Sequence, residues 1–330
     1  MLDAVATDTC LEVRNLTVEF PNRHGTLTAL NDISLEIRPG EILGMVGESG
    51  AGKSMTGLAI QGLLERPGRI AGGEVLLSGR RIDNLSDRAM EQIRGREIGA
   101  IFQDPLTSLN PLFTVGGQLV ETIRQHMPGM SKAAARERAI GLLKEVGIPA
   151  PSERIDHYPH QFSGGMRQRV VIALALSANP KLIIADEPTT ALDVSIQAQI
   201  TGLLRRLCKE HGTAVLLVTH DMGVIAETAD RVAVMYAGRL IEIGPVETVL
   251  KTPSHPYTKG LMASIPALGA RVQHLHQIDG AMPRLNAIPE GCTFNPRCPM
   301  AGPRCRRERP ALVPTGAGAA ACWLHDGGVA

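Results

Sequence analysis

The sequence predicts an α/β domain built on a mostly parallel sheet covered by helices on both faces. A wholly apolar run, Ile42 to Val46, feeds a glycine-rich loop and then a helical stretch. Apolar runs and helical stretches alternate again between Ser163 and about Ala229. An antiparallel unit precedes the first of these and a hairpin follows the last. With 330 residues, 44% of them apolar and 20% charged, most of the chain has the composition of a packed protein, which excludes disorder.

Taken in order, Leu11 to Phe20 and Ile33 to Ile37 alternate apolar and polar positions as half-buried strands do, with Pro21 to Gly25 as turn material. Strand Ile42 to Val46 leads through GESGAGKS to a helix predicted to end near Leu64. From about Asp104 to His160 the pattern is helical and punctuated by prolines. It is clearest after Ser131, a predicted cap, where Ile140, Leu143 and Val146 share one face. A helix after Ser163, a strand KLIIAD, a helix from Val194 to His211, a strand AVLLVT and a short helix to about Ala229 restore the α/β order. RVAVMY and RLIEI, joined by Ala237-Gly238, read as a hairpin. Beyond Thr252 Pro, Gly, Cys and Arg dominate, so a separate C-terminal extension is expected, with GAGAA near Gly316 as low complexity.

Charge and hydropathy exclude further classes. Lys and Arg total 34 against 33 Asp and Glu, so no overall field draws nucleic acid, and no nucleic-acid partner is expected. No apolar run reaches the length of a bilayer span; the best, Val170 to Ala175, is stopped by Ser177 and Asn179. The opening MLDAVATDTC has two acids and no basic segment, unlike a secretory leader, so the chain is expected in the cytoplasm, acting on any membrane through partners.

Gly47-Glu48-Ser49-Gly50-Ala51-Gly52-Lys53-Ser54 fits G-x-x-x-x-G-K-[ST] between a strand and a helix that opens with Met55. In such a loop main-chain amides converge on phosphate oxygens, the helix N-terminus adds its dipole, Lys53 reaches the β and γ phosphates and Ser54 ligates Mg²⁺. A nucleoside triphosphate with Mg²⁺ is thus expected there. A carboxylate is then required near the metal and another near the attacking water. Leu182-Ile-Ile-Ala-Asp186-Glu187 supplies both at the end of a buried strand: Asp186 for Mg²⁺ through water, and Glu187, on the alternate side, as general base.

With these motifs the chain resembles the ATP-binding cassette family from about Leu11 to Leu250. Gln103 in IFQDP looks like the glutamine loop, Ser163-Gly164-Gly165 like the signature, Ala191-Leu192-Asp193 like the D-loop and His220 in VTHD like the switch histidine. Phe20 lies where the family stacks an aromatic on adenine; a Phe at a strand end is equally a core residue. The signature, FSGGMRQR, departs from the commonest form at Phe162 and Met166, yet keeps the serine and glycines that face a γ-phosphate. The resemblance implies a P-loop ABC-type nucleotide-binding domain over residues 1–250, with a RecA-like core, an antiparallel β subdomain and a helical subdomain at about 104–165, followed by an extension over 251–330. It implies ATP as the nucleotide, a dimer of ATPase subunits, a γ-phosphate contact for His220, and metal and water sensing by Gln103.

Six cysteines are unevenly placed: Cys10 and Cys208 stand alone, while Cys292, Cys298, Cys305 and Cys322 form C-x5-C-x6-C-x16-C. Four thiolates suit Zn²⁺ or a 4Fe-4S cluster, although the paired C-x-x-C of zinc ribbons is missing; free thiols are the third possibility. Arg297, Arg304, Arg306, Arg307 and Arg309 either balance a cluster's charge or form a solvated face. Ser254-His-Pro-Tyr-Thr258-Lys-Gly-Leu and this tail resemble ATPases of oligopeptide and dipeptide importers, in which the four cysteines look like an iron-sulfur site; nickel importers generally lack the tail. The resemblance therefore implies an ATPase on the cytoplasmic face of the inner membrane, held there by two permeases. It implies a paralogous second ATPase and an extracytoplasmic peptide-binding protein. A nickel or other small-solute importer, a soluble non-transport cassette ATPase and an iron-sulfur sensor are the alternatives.

Overall fold

The computed structural model describes residues 9–23, 25–190, 192–264 and 277–325. The N-terminal segment read as no secretory leader lies largely outside them, as does Ala191. Two long strands open the chain, β1 (Leu11–Asn22) and β2 (Gly25–Ile37). Both outrun the predicted limits, leaving a tighter turn. Alternation identifies only their buried centres: Leu11, Val13, Leu16 and Val18 face the core, while the outer ends carry half-exposed polar residues. β3 (Ile42–Val46) is buried at all five positions. Helix α1 (Lys53–Gln61) stops short of Leu64 because Gly62 takes a left-handed conformation, with Gly62 and Leu63 amides donating to the Ala59 and Leu58 carbonyls.

β4 (Arg69–Leu77), β5 (Arg80–Arg81), α2 (Asp87–Glu91) and β6 (Ile98–Ile101) follow. The predicted helical region resolves into α3 (Pro105–Ser108), α4 (Val115–His126), α5 (Lys132–Glu145) and α6 (Pro151–Arg154). Ser131 caps α5 as expected, its hydroxyl accepting from the Ala134 amide at 3.2 Å. The buried face of α5 is Ala135, Ala139, Leu142 and Leu143; Ile140 is only half-buried, because the stripe is set by the alanines that let neighbours approach. Next come α7 (Gly164–Ala175), β7 (Leu182–Asp186), α8 (Val194–His211), β8 (Ala214–Val218) and α9 (Met222–Thr228). The hairpin is β9 (Arg231–Tyr236) and β10 (Arg239–Pro245), turned by left-handed Ala237 and Gly238. The last elements are α10 (Val246–Lys251), α11 (Pro256–Ala263), β11 (Val313–Thr315) and β12 (Gly318–Ala320).

Two compact units divide the chain. One comprises Met1–Glu12, Glu36–Ile42 and Leu76–Val218, and contains the helical elements α2 to α8 and the parallel run β6-β7-β8. Its register aligns Ile101 with Ala185 and Asp186 with Val218, so the strand ends that carry Gln103 and Glu187 are level.

The other unit comprises Val13–Leu35, Leu43–Val75 and Thr219–Ala330. Here β3 pairs in parallel with β9, β9 pairs antiparallel with β10, and β10 pairs antiparallel with β12. The segment read as low complexity near Gly316 is therefore a β-hairpin, and its strand β12 joins Glu242 to Ala320 and Ile243 to Ala319. Small side chains are what this edge needs, since Gly318 lies against the backbone of Ile243 and Gly244. Among the described residues no helix is long and apolar enough to cross a membrane.

Candidate functional site

In the unit containing β3, the buried strand delivers Gly47 directly into the loop. Gly47 has φ of +152°, and a Cβ there would collide with the Met235 carbonyl oxygen of β9. Gly52, at φ +106°, occupies the N-cap position of α1; its Cβ would lie 2.7 Å from Leu30 Cδ2. These two positions demand glycine on both backbone and packing grounds. The N-cap residue is glycine and supplies no side-chain cap to α1, so its first amides are offered to the loop. Lys53 is buried, with Nζ donating to the Gly47 carbonyl at 2.8 Å and the Glu48 carbonyl at 3.2 Å. Its ammonium thus lies within the loop, while Ser49, Gly50 and Ser54 are exposed, Met55 half-buried and Ala51 buried.

Two more predicted residues belong to this unit. The Thr219 amide donates to the Met45 carbonyl at 3.1 Å, which hangs the segment before His220 on the strand that feeds the loop; His220 itself is exposed. Phe20 is half-buried at the end of β1 with its ring edge against Gly68, where a Cβ would lie 2.6 Å from Phe20 Cε1.

In the unit containing β7, Asp186 ends the strand and Glu187 departs from it. Glu187 adopts a left-handed conformation, φ +47°, so its direction is set by a turn rather than by strand alternation. Gln103 Nε2 donates to Glu187 Oε2 at 3.1 Å and the Thr190 hydroxyl donates to the same oxygen at 2.9 Å. The two donors fix the direction of the carboxylate. Ser163 caps α7, its hydroxyl accepting from the Met166 amide at 3.4 Å. A Cβ on Gly164 would lie 3.8 Å from Leu192 Cδ2, and one on Gly165 2.7 Å from Ile196 Cγ2, so signature and D-loop pack together. Asp193 precedes α8, exposed and without a capping hydrogen bond from its side chain.

The extension adds residues whose part sequence reasoning missed. The His255 ring accepts from the Tyr257 amide through Nδ1 at 3.0 Å and caps α11, with Pro256 in the first turn as its residue type predicts. Tyr257, Tyr236 and Phe294 form a buried aromatic cluster with ring centroids 4.7 to 5.4 Å apart. From it the Tyr257 hydroxyl accepts the Glu48 amide of the phosphate loop at 3.0 Å. Arg297 is not part of a solvated arginine face: Nη1 sits 3.1 Å from both carboxylate oxygens of Glu48. Arg304, Arg306, Arg307 and Arg309 are exposed, Arg304 over the Trp323 ring and paired with Glu308.

Cys292, Cys298, Cys305 and Cys322 are all half-buried free thiols. The Cys292 amide donates to the Cys305 carbonyl at 2.8 Å, joining two turns of the tail. Burial pushes the Cys292 thiol up to about 11, against a Phe294 backbone hydrogen bond and with added repulsion from the other three sulfurs. Burial also raises Cys298 and Cys322, with Cys305 adding repulsion to both. The four sulfurs are thus close enough to interact, and burial favours the protonated form of Cys292, Cys298 and Cys322. Among the described residues no group of three or more His, Cys, Asp or Glu side chains is placed to hold a metal ion. A ligand set of thiolates needs protons removed and sulfurs drawn in, and burial of the thiols opposes the first step.

Known proteins agree with this arrangement. The family described as ABC transporter matches residues 30–190, and the oligopeptide/dipeptide transporter C-terminal region matches residues 241–305. The oligopeptide transport ATP-binding protein OppD of Salmonella typhimurium is 50% identical over 300 residues, covering 91% of this chain and 89% of that protein. The dipeptide transport ATP-binding protein DppD of Escherichia coli is 46% identical over 302 residues, covering 92% of each. Among solved structures, the dimeric post-hydrolysis cassette MJ0796 bound to ADP and Pi superposes with a TM-score of 0.64 at 32% identity, covering 72% of this chain and 98% of that one. A glycine loop that encloses its lysine, a carboxylate aimed by glutamine and threonine, and relatives matched along nine-tenths of their length lead to one conclusion: the chain belongs to the ABC transporter ATP-binding proteins, in the oligopeptide/dipeptide branch.

Proposed function

We propose that this chain is an ATPase subunit of an ABC importer that powers uptake of di- and oligopeptides across the cytoplasmic membrane. The observation that carries the reading is the enclosed Lys53 ammonium at the uncapped N-terminus of α1, a cationic nest suited to a triphosphate. Residues Gly47 to Met55 hold the phosphates, Phe20 stacks on adenine, and Ser54, Gln103 and Asp186 serve Mg²⁺, the last through water. Glu187 takes a proton from the attacking water as its oxygen adds to the γ-phosphorus and ADP leaves. His220 contacts the γ-phosphate. Ser163, Gly164 and Gly165, with Asp193 beside them, face the nucleotide held by a second ATPase subunit, a paralogue. The dimeric MJ0796 structure supports such pairing.

Two permeases seat the pair on the cytoplasmic face, and an extracytoplasmic binding protein delivers peptide. The printed functions of the OppD and DppD relatives support peptide over nickel or a soluble role. The four-cysteine tail is the place for a 4Fe-4S cluster, with Zn²⁺ as the alternative. Mutual proximity of its thiols supports this, and absorption spectra with metal analysis of anaerobically purified protein decide it. Calorimetry tests the central claim. Wild type binds MgATP and Lys53→Ala does not; Glu187→Gln binds it but turns over about 10²- to 10⁴-fold more slowly. Equal binding by wild type and Lys53→Ala sinks the reading.

A further inference from the structure

The phosphate loop is short of anchoring side chains of its own, since Ser49, Gly50, Ala51 and Gly52 leave its backbone many conformations to lose on binding. Glu48 is the exception: its carbonyl accepts locally from Lys53 and the Ala51 amide, but its carboxylate and its amide are held from more than two hundred residues away. Arg297 Nη1 lies 3.1 Å from each Glu48 carboxylate oxygen and donates to the Tyr236 hydroxyl at 3.3 Å. The same guanidinium is fixed from behind, Nε donating to the Asp279 carbonyl at 2.8 Å and Nη2 to the Ile278 carbonyl at 3.2 Å. Its side chain is 7% exposed and that of Glu48 30%. This is a largely desolvated pair, unlike an exposed one that water and salt would weaken. Tyr257, wholly buried against Tyr236 and Phe294, takes the Glu48 amide.

Resting on the reading that Gly47 to Met55 holds the nucleotide, we infer that the C-terminal extension is a clasp on the phosphate loop. Arg297 and Tyr257 are positioning residues that fix Glu48 and raise affinity for the triphosphate. Two effects act in the same direction. Tethering Glu48 at both side chain and amide limits the loop before ligand arrives, so less conformational freedom is lost on binding. The guanidinium also offsets a carboxylate within the loop that would otherwise repel an incoming polyanion. A lysine would supply the charge but not the several-directional fork that Arg297 uses. Phe294 and Arg297 share the turns that carry Cys292 and Cys298, so the tail that bears the thiols also bears the clasp.

The test is MgATP titration of the full-length chain by calorimetry, with thermal midpoints measured alongside. Arg297→Ala is expected to weaken MgATP about 3- to 30-fold, and Tyr257→Phe, which keeps the ring, to weaken it within the same range. Adding Glu48→Ala to Arg297→Ala is expected to recover part of the loss, because the unbalanced carboxylate goes with it. A purely packing role predicts a double variant at least as poor as the single one, and that result overturns the clasp. So does wild-type affinity in both Arg297→Ala and Tyr257→Phe while Lys53→Ala fails to bind, an outcome that leaves the nucleotide reading intact. If Arg297→Ala does not fold, Tyr257→Phe and Glu48→Ala decide: unchanged affinity in both overturns the proposal. Loss of discrimination between wild type and Lys53→Ala strikes the underlying reading instead.

Discussion

At His255 a single buried imidazole sets a pH dependence. Burial, helped by charge on His325, lowers it from 6.5 to about 3, so the ring stays neutral and free to accept the Tyr257 amide. The unfolded chain protonates this histidine below about 6.5, and the folded chain resists until about pH 3. Stability from this group is therefore complete above 6.5 and drains away as pH falls from 6.5 towards 3. His255→Asn, which caps without titrating, is expected to flatten that part of the stability curve, read as urea midpoint against pH. Gly47→Ala offers a second test: with the Met235 carbonyl in the way, the loop must shift and MgATP binding be lost while the fold persists. The places of Lys53, Ser54 and Asp186, in a strand-loop-helix turn and at the end of a buried strand, were readable from sequence, because neighbours in the chain define them. Tyr257 and Arg297 were not readable as loop contacts, since they reach Glu48 across 209 and 249 positions and no local pattern encodes that.

Elements with one dominant signal were legible in the same way. β3, β7 and β8 are uninterrupted apolar runs, and α8 begins and ends where the sequence predicts, at Val194 and His211. β4 escaped notice because glycines interrupt RIAGGEVLL, and β6 because four residues are too few to show a period. β12 was hidden by composition: glycine and alanine looked structureless, yet Ala320 is wholly buried. β10 carries an unusual buried acid, Glu242, whose oxygens accept the Ser254 and His255 amides at 2.6 and 3.0 Å. Glu242→Ala removes both acceptors and is expected to cost about 3 kcal/mol, with faster amide exchange in the first turn of α11.

For the whole molecule, the strongest consequence is assembly. A chain that binds MgATP but cannot discharge it is expected to accumulate with a second ATPase subunit, so Glu187→Gln should run at the mass of a pair in light scattering with MgATP and of a single subunit without it. Persistence of the single species at saturating MgATP, both alone and with a second ABC ATPase subunit added, would remove the paired mechanism. Near-neutral charge leaves this equilibrium to the nucleotide rather than to long-range attraction.

The pairing of β12 with β10 carries its own implication for handling this protein. A variant cut before Val313 uncovers a rim of apolar β10 whose main-chain groups were satisfied by Gly318 to Ala320. Such a rim is a template for another polypeptide. Shortened forms are expected in the pellet rather than the supernatant, so the modest final hairpin serves as a selvedge that keeps the woven sheet from catching on its copies.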